Sequence, residues 1–521
     1  MNLSDTARIW ASYPVLWTPR LSADGQWLAW TWTGLTETGN VWVVPTDGSR
    51  KPRRLTDGRD HFYVNHVSED GETLILSQSI GANEHDRLFL LEREGTAEPR
   101  PLTALQSNHY VFGGALSPDG RFLVYAADVD HATGEPTAGS WIYRQDLRSG
   151  ERLVLARAES VAGLAPEISP DGNSVLYARS DHHPAGVQYW VVGMDGSGDR
   201  EVLNVGDRLK AKAHWLGAGD KILVLAETET HDRVGVLEAG TGSLRWLIDD
   251  PARAIDDILP GSDGRRAMVL EFDQGRLVAK LLDIASGGER AFVSPGRSLL
   301  PIGELPDGSW VAEAYHSGGA HELVRVDPAT GAERNLTDTA ALIAAKPADF
   351  TAATDFTWSS SDGRRIQGWL YEPKTPSRGL VCWVHGGPTW HSEDWVNPII
   401  QFLVGAGFTV LDPNYRGSTG FGRDFRESIK EDGWGGGEQL DIRAGIEALL
   451  ACGKATRGRI GVAGLSYGGY SSWFAITRFA DLVDAAVPIC GMYELGIDYH
   501  ATEMPHGRAY SEEMMGGTPE D

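Results

Sequence analysis

The stretch RIGVAGLSYGGYSSWF, residues 459–474, contains Gly464-Leu465-Ser466-Tyr467-Gly468, a G-x-S-x-G pattern. A serine hydroxyl becomes a useful nucleophile only when a base takes its proton and donors stabilise the oxyanion that follows. Here the pattern closes an apolar run, RIGVAG, and opens a run at helical spacing, YSSWFAITRF. A sharp turn from strand to helix would hold Ser466 in a strained, exposed conformation, with small residues at 464 and 468 letting strand and helix pass closely. Upstream, His385-Gly386-Gly387-Pro388 follows a second apolar run, LVCWV. Glycines there allow the backbone to approach a substrate and present its N–H, and the N–H of Tyr467 would complete a pair of oxyanion donors. His385 itself reads as a hydrogen-bonded structural group, because in this setting the base follows the last strand.

The elements that position these residues begin near residue 346. SSSDGRRIQGWLYEP reads as a hairpin, after which buried strands (GLVCWVHGG, FTVLDPNYRG, RIGVAGLS) alternate with helices (PIIQFLVGAG, GEQLDIRAGIEALLACG). Continuous apolar strands separated by helices predict a mostly parallel α/β sheet over 346–521.

Residues 1–345 follow a different grammar. Seven segments share one pattern: LSADGQWLAW, VSEDGETLIL, LSPDGRFLVY, ISPDGNSVLY, LGAGDKILVL, GSDGRRAMVL and LPDGSWVAEA. From Gly25 to Gly308 they recur about every 47 residues, a propeller-blade spacing. Each Asp-Gly supplies a tight turn, and a second hairpin follows in step, as in VWVVPTDGSRKPRRLT and LVRVDPATGAERNLT. Four strands per unit and seven units predict a seven-bladed β-propeller. The fifth unit departs, with Gly219-Asp220 in place of Asp-Gly.

Composition sets limits on partners. A net charge of −25 disfavours nucleic acid and anionic membranes. Cys382, Cys452 and Cys490 are odd in number and far apart, and read as reduced core thiols. The first residues carry an early acid and no uninterrupted apolar region, and no later run could span a bilayer, so a cytoplasmic chain without a membrane partner is expected. The chemistry calls for no cofactor and no metal ion.

Together, the propeller, HGGP, NYRGSTGFG (414–422), DGWGG (432–436) and GLSYGGY resemble the prolyl oligopeptidase family of serine peptidases, over essentially the whole chain. HGGP is similar to the oxyanion motif of its acylaminoacyl-peptidase-like branch. The dipeptidyl-peptidase branch fits less well, since no interval in the repeat is long enough to suggest its glutamate-bearing insertion. The resemblance implies Ser466 as nucleophile, backbone donors at Gly387 and Tyr467, and a propeller that caps the site and admits only short or unfolded peptides. Oligomeric state and side-chain preference stay open.

The sequence departs from that pattern after Ser466. The fold orders its triad as Ser, then Asp after a later strand, then His after the last one. The residues from Tyr467 to Asp521 are used up by the elbow helix, one strand (DAAVPICG) and an irregular stretch. His500 and His506 follow the serine, and Asp481, Asp484 and Asp498 lie nearby, but no final strand would return those histidines over Ser466. His391, like His385, precedes the nucleophile. The expectation is therefore a C-terminally incomplete peptidase, catalytically impaired as it stands, with an exposed apolar sheet edge prone to aggregation. Two other readings remain open: a non-catalytic propeller that binds peptides or proteins, and an esterase-like acyl hydrolase.

Overall fold

The computed structural model describes residues 3–58, 60–79, 85–95, 98–103, 109–160, 164–346, 349–502 and 507–520. Seven four-stranded antiparallel sheets span 15–54, 62–101, 111–157, 167–203, 211–249, 255–292 and 298–335, and each is formed from consecutive strands. They are the blades 1 to 7 of a β-propeller. The Asp-Gly turns of blades 1 to 4 share a hydrogen-bond device. In blade 1, Ser22 Oγ donates to Asp24 Oδ1 (2.6 Å), which accepts from the Gln26 N–H, while Ser22 Oγ accepts from the Trp27 N–H. The same set recurs at Ser68/Asp70, Ser117/Asp119 and Ser169/Asp171. A short side chain that satisfies turn N–H groups makes the reversal independent of what the strands carry outward.

The ring closes without a shared strand. Leu28, Trp30, Trp32 and Val44 of blade 1 pack with Leu305, Val311, Leu323 and Leu336 at blade 7. Neighbouring blades meet in the same way, as where Met268 and Phe292 of blade 6 pack with Trp310 and Val324 of blade 7. Apolar burial between blades is thus the term that holds the array together.

The second domain is a six-stranded sheet in the order Thr354–Ser359, Arg365–Tyr371, Thr409–Asn414, Leu380–Val384, Ile460–Leu465, Ala485–Ile489. The first strand pairs antiparallel with the second, and the second antiparallel with Thr409–Asn414. All remaining pairs are parallel. Side chains alternate between two cores: Cys382 and Val384 face Ile442, Ile446 and Leu449 of helix Gly437–Ala451, whereas Trp383 faces Ile400 and Val404 of helix Pro398–Gly405. From Leu380–Val384 the sheet grows in one direction through Thr409–Asn414 and in the other through Ile460–Leu465. This is a topological switch point, and the crevice at its carboxyl end is where such sheets place their ligands. HGGP and Ser466 leave the two strands beside it.

Two expectations need correction. Helix Leu3–Ala11, assigned by the repeat to the propeller side of a 345/346 boundary, packs instead with the second domain: Trp10 and Tyr13 are buried with Phe350 and Val396, and Thr6 lies against Gly405. Its apolar residues have no place in the blade pattern and find a partner beyond it. The three cysteines are free, but only Cys382 is in the core, while Cys452 and Cys490 are exposed. Cys490 falls just past an edge strand, where one face of the sheet lacks cover; Val487 in that strand is 57% exposed. Among the described residues no helix is long and apolar enough to cross a membrane.

Trp310 has no exposed surface and fills the seam between blades 6 and 7. Trp310→Ala should therefore destabilise the propeller by about 3–5 kcal/mol, read as a lower denaturant midpoint in circular dichroism.

Candidate active site

Strand Ile460–Leu465 runs directly into helix Tyr467–Arg478, and the single residue between them is Ser466, at φ 56° and ψ −117°. That positive φ is unfavourable for any residue with a Cβ and is maintained by its surroundings. The Ser466 N–H donates to the Ile489 carbonyl (2.9 Å), and its own carbonyl accepts from the Tyr470 N–H (3.1 Å). With the backbone pinned on both sides, the side chain is left exposed. A Cβ at either Gly464 or Gly468 would collide with the Val384 carbonyl oxygen. Only glycine at both positions allows the turn to sit this close to the neighbouring strand.

The HGGP segment follows that strand. The position a Cβ would take on Gly386 lies 3.4 Å from Ser466 Cβ. Gly387, the next residue, is at φ 120°, a conformation open mainly to glycine. The loop thus brings its backbone against the serine. On the other side, the Tyr467 and Gly468 N–H groups lie in the first turn of the elbow helix, where intrahelical acceptors are lacking.

Tyr467 is anchored by a group the sequence reading did not single out. Its hydroxyl donates to Glu438 Oε1 (2.9 Å), which also accepts from the Gly435 N–H (2.6 Å) and from Gln439 Nε2 (3.0 Å). Glu438 is fully buried, and burial raises its pKa above the usual carboxylate range. The Tyr467 ring is bracketed by Tyr415 and Trp434, at centroid separations of 6.2 and 5.5 Å. An acid in the first turn of an otherwise amphipathic helix, just after DGWGG, was the available signal. The NYRG segment is likewise tied down: Asp441, fully buried, accepts from the Arg416 N–H and Nε (2.9 Å each) and from Nη2 (2.7 Å).

The histidines are otherwise occupied. His385 is buried, with Nδ1 2.7 Å from the Gly386 carbonyl and Nε2 3.0 Å from Ser418 Oγ, and its ring stacks on Tyr415. Burial lowers its pKa to about 3, so it stays neutral and serves the loop, as the sequence suggested. His391 Nδ1 lies 2.7 Å from Thr419 Oγ1, with its ring against Phe272 of blade 6. His500 is exposed and pairs with Glu520 (3.4 Å), and His506 lies outside the described residues. Asp481 pairs with Arg443, and Asp484 accepts from the Ile460 N–H. Asp498 sits in helix Leu495–Ala501. Among the described residues no hydrogen bond joins the Ser466 hydroxyl to a histidine, and no group of three His, Cys, Asp or Glu side chains is arranged to hold a metal ion.

A serine at a strand-to-helix elbow on a mostly parallel sheet, joined to a seven-bladed propeller, defines an α/β-hydrolase-type serine hydrolase architecture. Residues 395–521 match the prolyl oligopeptidase family. Over 520 residues the chain is 23% identical to dipeptidyl aminopeptidase BIII of Pseudoxanthomonas mexicana, covering 95% of this chain and 72% of that protein. It is 22% identical over 400 residues to dipeptidyl-peptidase 5 of Porphyromonas gingivalis, covering 74% of this chain and 51% of that one. Among solved structures, a puromycin-hydrolyzing peptidase of Mycobacterium tuberculosis superposes with a TM-score of 0.79 at 22% identity, covering 99% of this chain and 83% of the other. The acylaminoacyl peptidase of Pyrococcus horikoshii gives 0.72 at 18% identity, covering 98% and 82%. The family match thus covers the C-terminal part of the chain, and the solved structures share the fold of nearly all of it.

Gly468→Ala should abolish the close approach to Val384 and lower the melting temperature by several degrees or prevent folding of the second domain, checked by calorimetry. His385 gives a pH signature of known sign. Its folded pKa, about 3, lies below the ordinary value of 6.5, so the unfolded chain binds the extra proton between them. Its share of stability falls as pH drops through that window, by up to about 1.4 kcal/mol per pH unit. Relative to wild type, His385→Phe should show a shallower loss of stability between pH 6.5 and about 3 in paired urea titrations.

Proposed function

We propose that this chain carries the acyl-transfer half of a serine peptidase acting on short or unfolded peptides. Ser466 attacks the scissile carbonyl, while the N–H groups of Tyr467 and Gly387 receive the oxyanion. The reading rests above all on one observation: an exposed serine is held at positive φ against the glycines of HGGP. The names of its relatives, a dipeptidyl aminopeptidase and puromycin-hydrolyzing peptidases, support small amide substrates. HGGP favours acylaminoacyl-peptidase-like chemistry within the family.

Peptide cleavage also requires a base for the serine proton, later the acid for the leaving amine. No described residue is placed for that role. On this reading the 521-residue chain turns over amides ~10⁴ to 10⁶-fold more slowly than a peptidase with a full triad, judging from triad deletions in subtilisin.

A base supplied in solution tests both halves of this account. Imidazole, at up to molar concentration, should accelerate hydrolysis of an activated acyl ester by the wild-type chain in proportion to its concentration, beyond the background rate. Ser466→Ala should show only the background. Equal imidazole dependence in the two proteins would overturn the assignment of Ser466.

A further inference from the structure

The elbow helix rests on a carboxylate that takes no part in bond making. Glu438 lies in the first turn of helix Gly437–Ala451, and three donors converge on its Oε1: the Tyr467 hydroxyl (2.9 Å), the Gly435 N–H (2.6 Å) and Gln439 Nε2 (3.0 Å). The DGWGG loop and this helix fix the carboxyl, and the carboxyl in turn fixes the tyrosine. One turn along the elbow helix the clamp is repeated, where Gln439 Nε2 also donates to Ser471 Oγ (2.9 Å). Tyr467 and Ser471 stand at helical i and i+4 and so share one face.

Packing alone would not need an acid here. The Tyr467 ring is already buried between Tyr415 and Trp434, in a cluster with Ile442 and Ala475. Such packing limits the tilt of an aromatic ring but lets it slide along its long axis, and a directional hydrogen bond at the hydroxyl sets that depth. Taking a carboxyl out of water is unfavourable, and burial accordingly raises the Glu438 pKa. What the bond adds is position. Tyr467 is the first residue of the elbow helix, so the depth of its side chain is transmitted through Cα to the N–H beside Ser466. A misplacement of about 1 Å at a reacting centre can cost ~10²-fold in rate.

We propose that Glu438 is a positioning residue for acyl transfer at Ser466: through the Tyr467 hydroxyl it holds the Tyr467 N–H at the place where the oxyanion forms. The inference rests on the Ser466 reading and adds to it a group that never touches the substrate.

Imidazole-assisted hydrolysis of p-nitrophenyl acetate by the full chain tests it, with rates expressed per Ser466 labelled to completion by an alkyl fluorophosphonate. Tyr467→Phe keeps the N–H and removes only the hydroxyl; it should lower kcat about tenfold and leave KM within about twofold. Glu438→Ala should do the same, and the double variant should be no slower than the slower single one, because both remove one bond. Glu438→Gln keeps an acceptor for the hydroxyl and should retain kcat within about threefold. A group that only stabilised the fold would lower the melting temperature of Tyr467→Phe without changing kcat per labelled serine, and that result overturns the positioning role. So does a loss confined to KM. A wild-type rate no greater than that of Ser466→Ala overturns the Ser466 reading and this inference with it, whereas a Ser466-dependent rate insensitive to Tyr467→Phe overturns this inference alone. If Glu438→Ala does not fold, Tyr467→Phe decides.

Discussion

The contact on which the site depends is the approach of the elbow to the Val384 carbonyl. Gly464 closes one strand and Gly468 lies in the first turn of a helix, and both lie where a Cβ would strike that one oxygen. Because Val384 also ends the strand that leads into HGGP, the same close approach sets the serine beside that loop. Two backbone hydrogen bonds then hold Ser466 at a φ it would not adopt alone. Position and exposure both follow from one steric fit, supported from below by Glu438 beneath Tyr467 and by Asp441 around Arg416.

The propeller meets this domain in two chemically different ways. On the blade 7 side the contacts are buried: Ser317 bonds Asp394, Gln401 Nε2 donates to the Ser317 carbonyl (3.0 Å), and His321 Nε2 accepts from the Val396 N–H (3.0 Å). Helix Leu3–Ala11 and Tyr13 reinforce that side, with the Tyr13 hydroxyl accepting from the His321 N–H. On the blade 4 and 5 side the contacts are ionic, through Arg208 and Glu227. Buried hydrogen bonds hold a fixed geometry, whereas ion pairs open to water exchange readily and weaken with salt. The Arg208–Glu513 pair is of this water-open kind, whereas Glu227 is buried between Arg423 and Arg426.

Much of this was legible in the sequence. The blades were visible because the turn between strands is a local device, in blades 1 to 4 a Ser-x-Asp-Gly set complete within six residues, and it recurs in register. The elbow was visible for the same reason: its pattern, strand and helix are contiguous. What escaped was set by distance along the chain. Nothing local says that Glu438 lies under Tyr467, that Trp10 packs on Phe350, or that Glu227 is taken by Arg423 and Arg426. Cys490 was misplaced because an apolar run implies burial only where both faces of a strand are covered, and Ala485–Ile489 is an edge.

The most direct test of the account is peptide mapping by mass spectrometry after prolonged exposure of the folded chain to an alkyl fluorophosphonate. With molar imidazole present as the base, an elbow built in this way should give one adduct, on Ser466, lost on unfolding before exposure. An adduct confined to another serine, or the same labelling in the unfolded chain, would contradict the claim that the fold makes Ser466 the acyl acceptor.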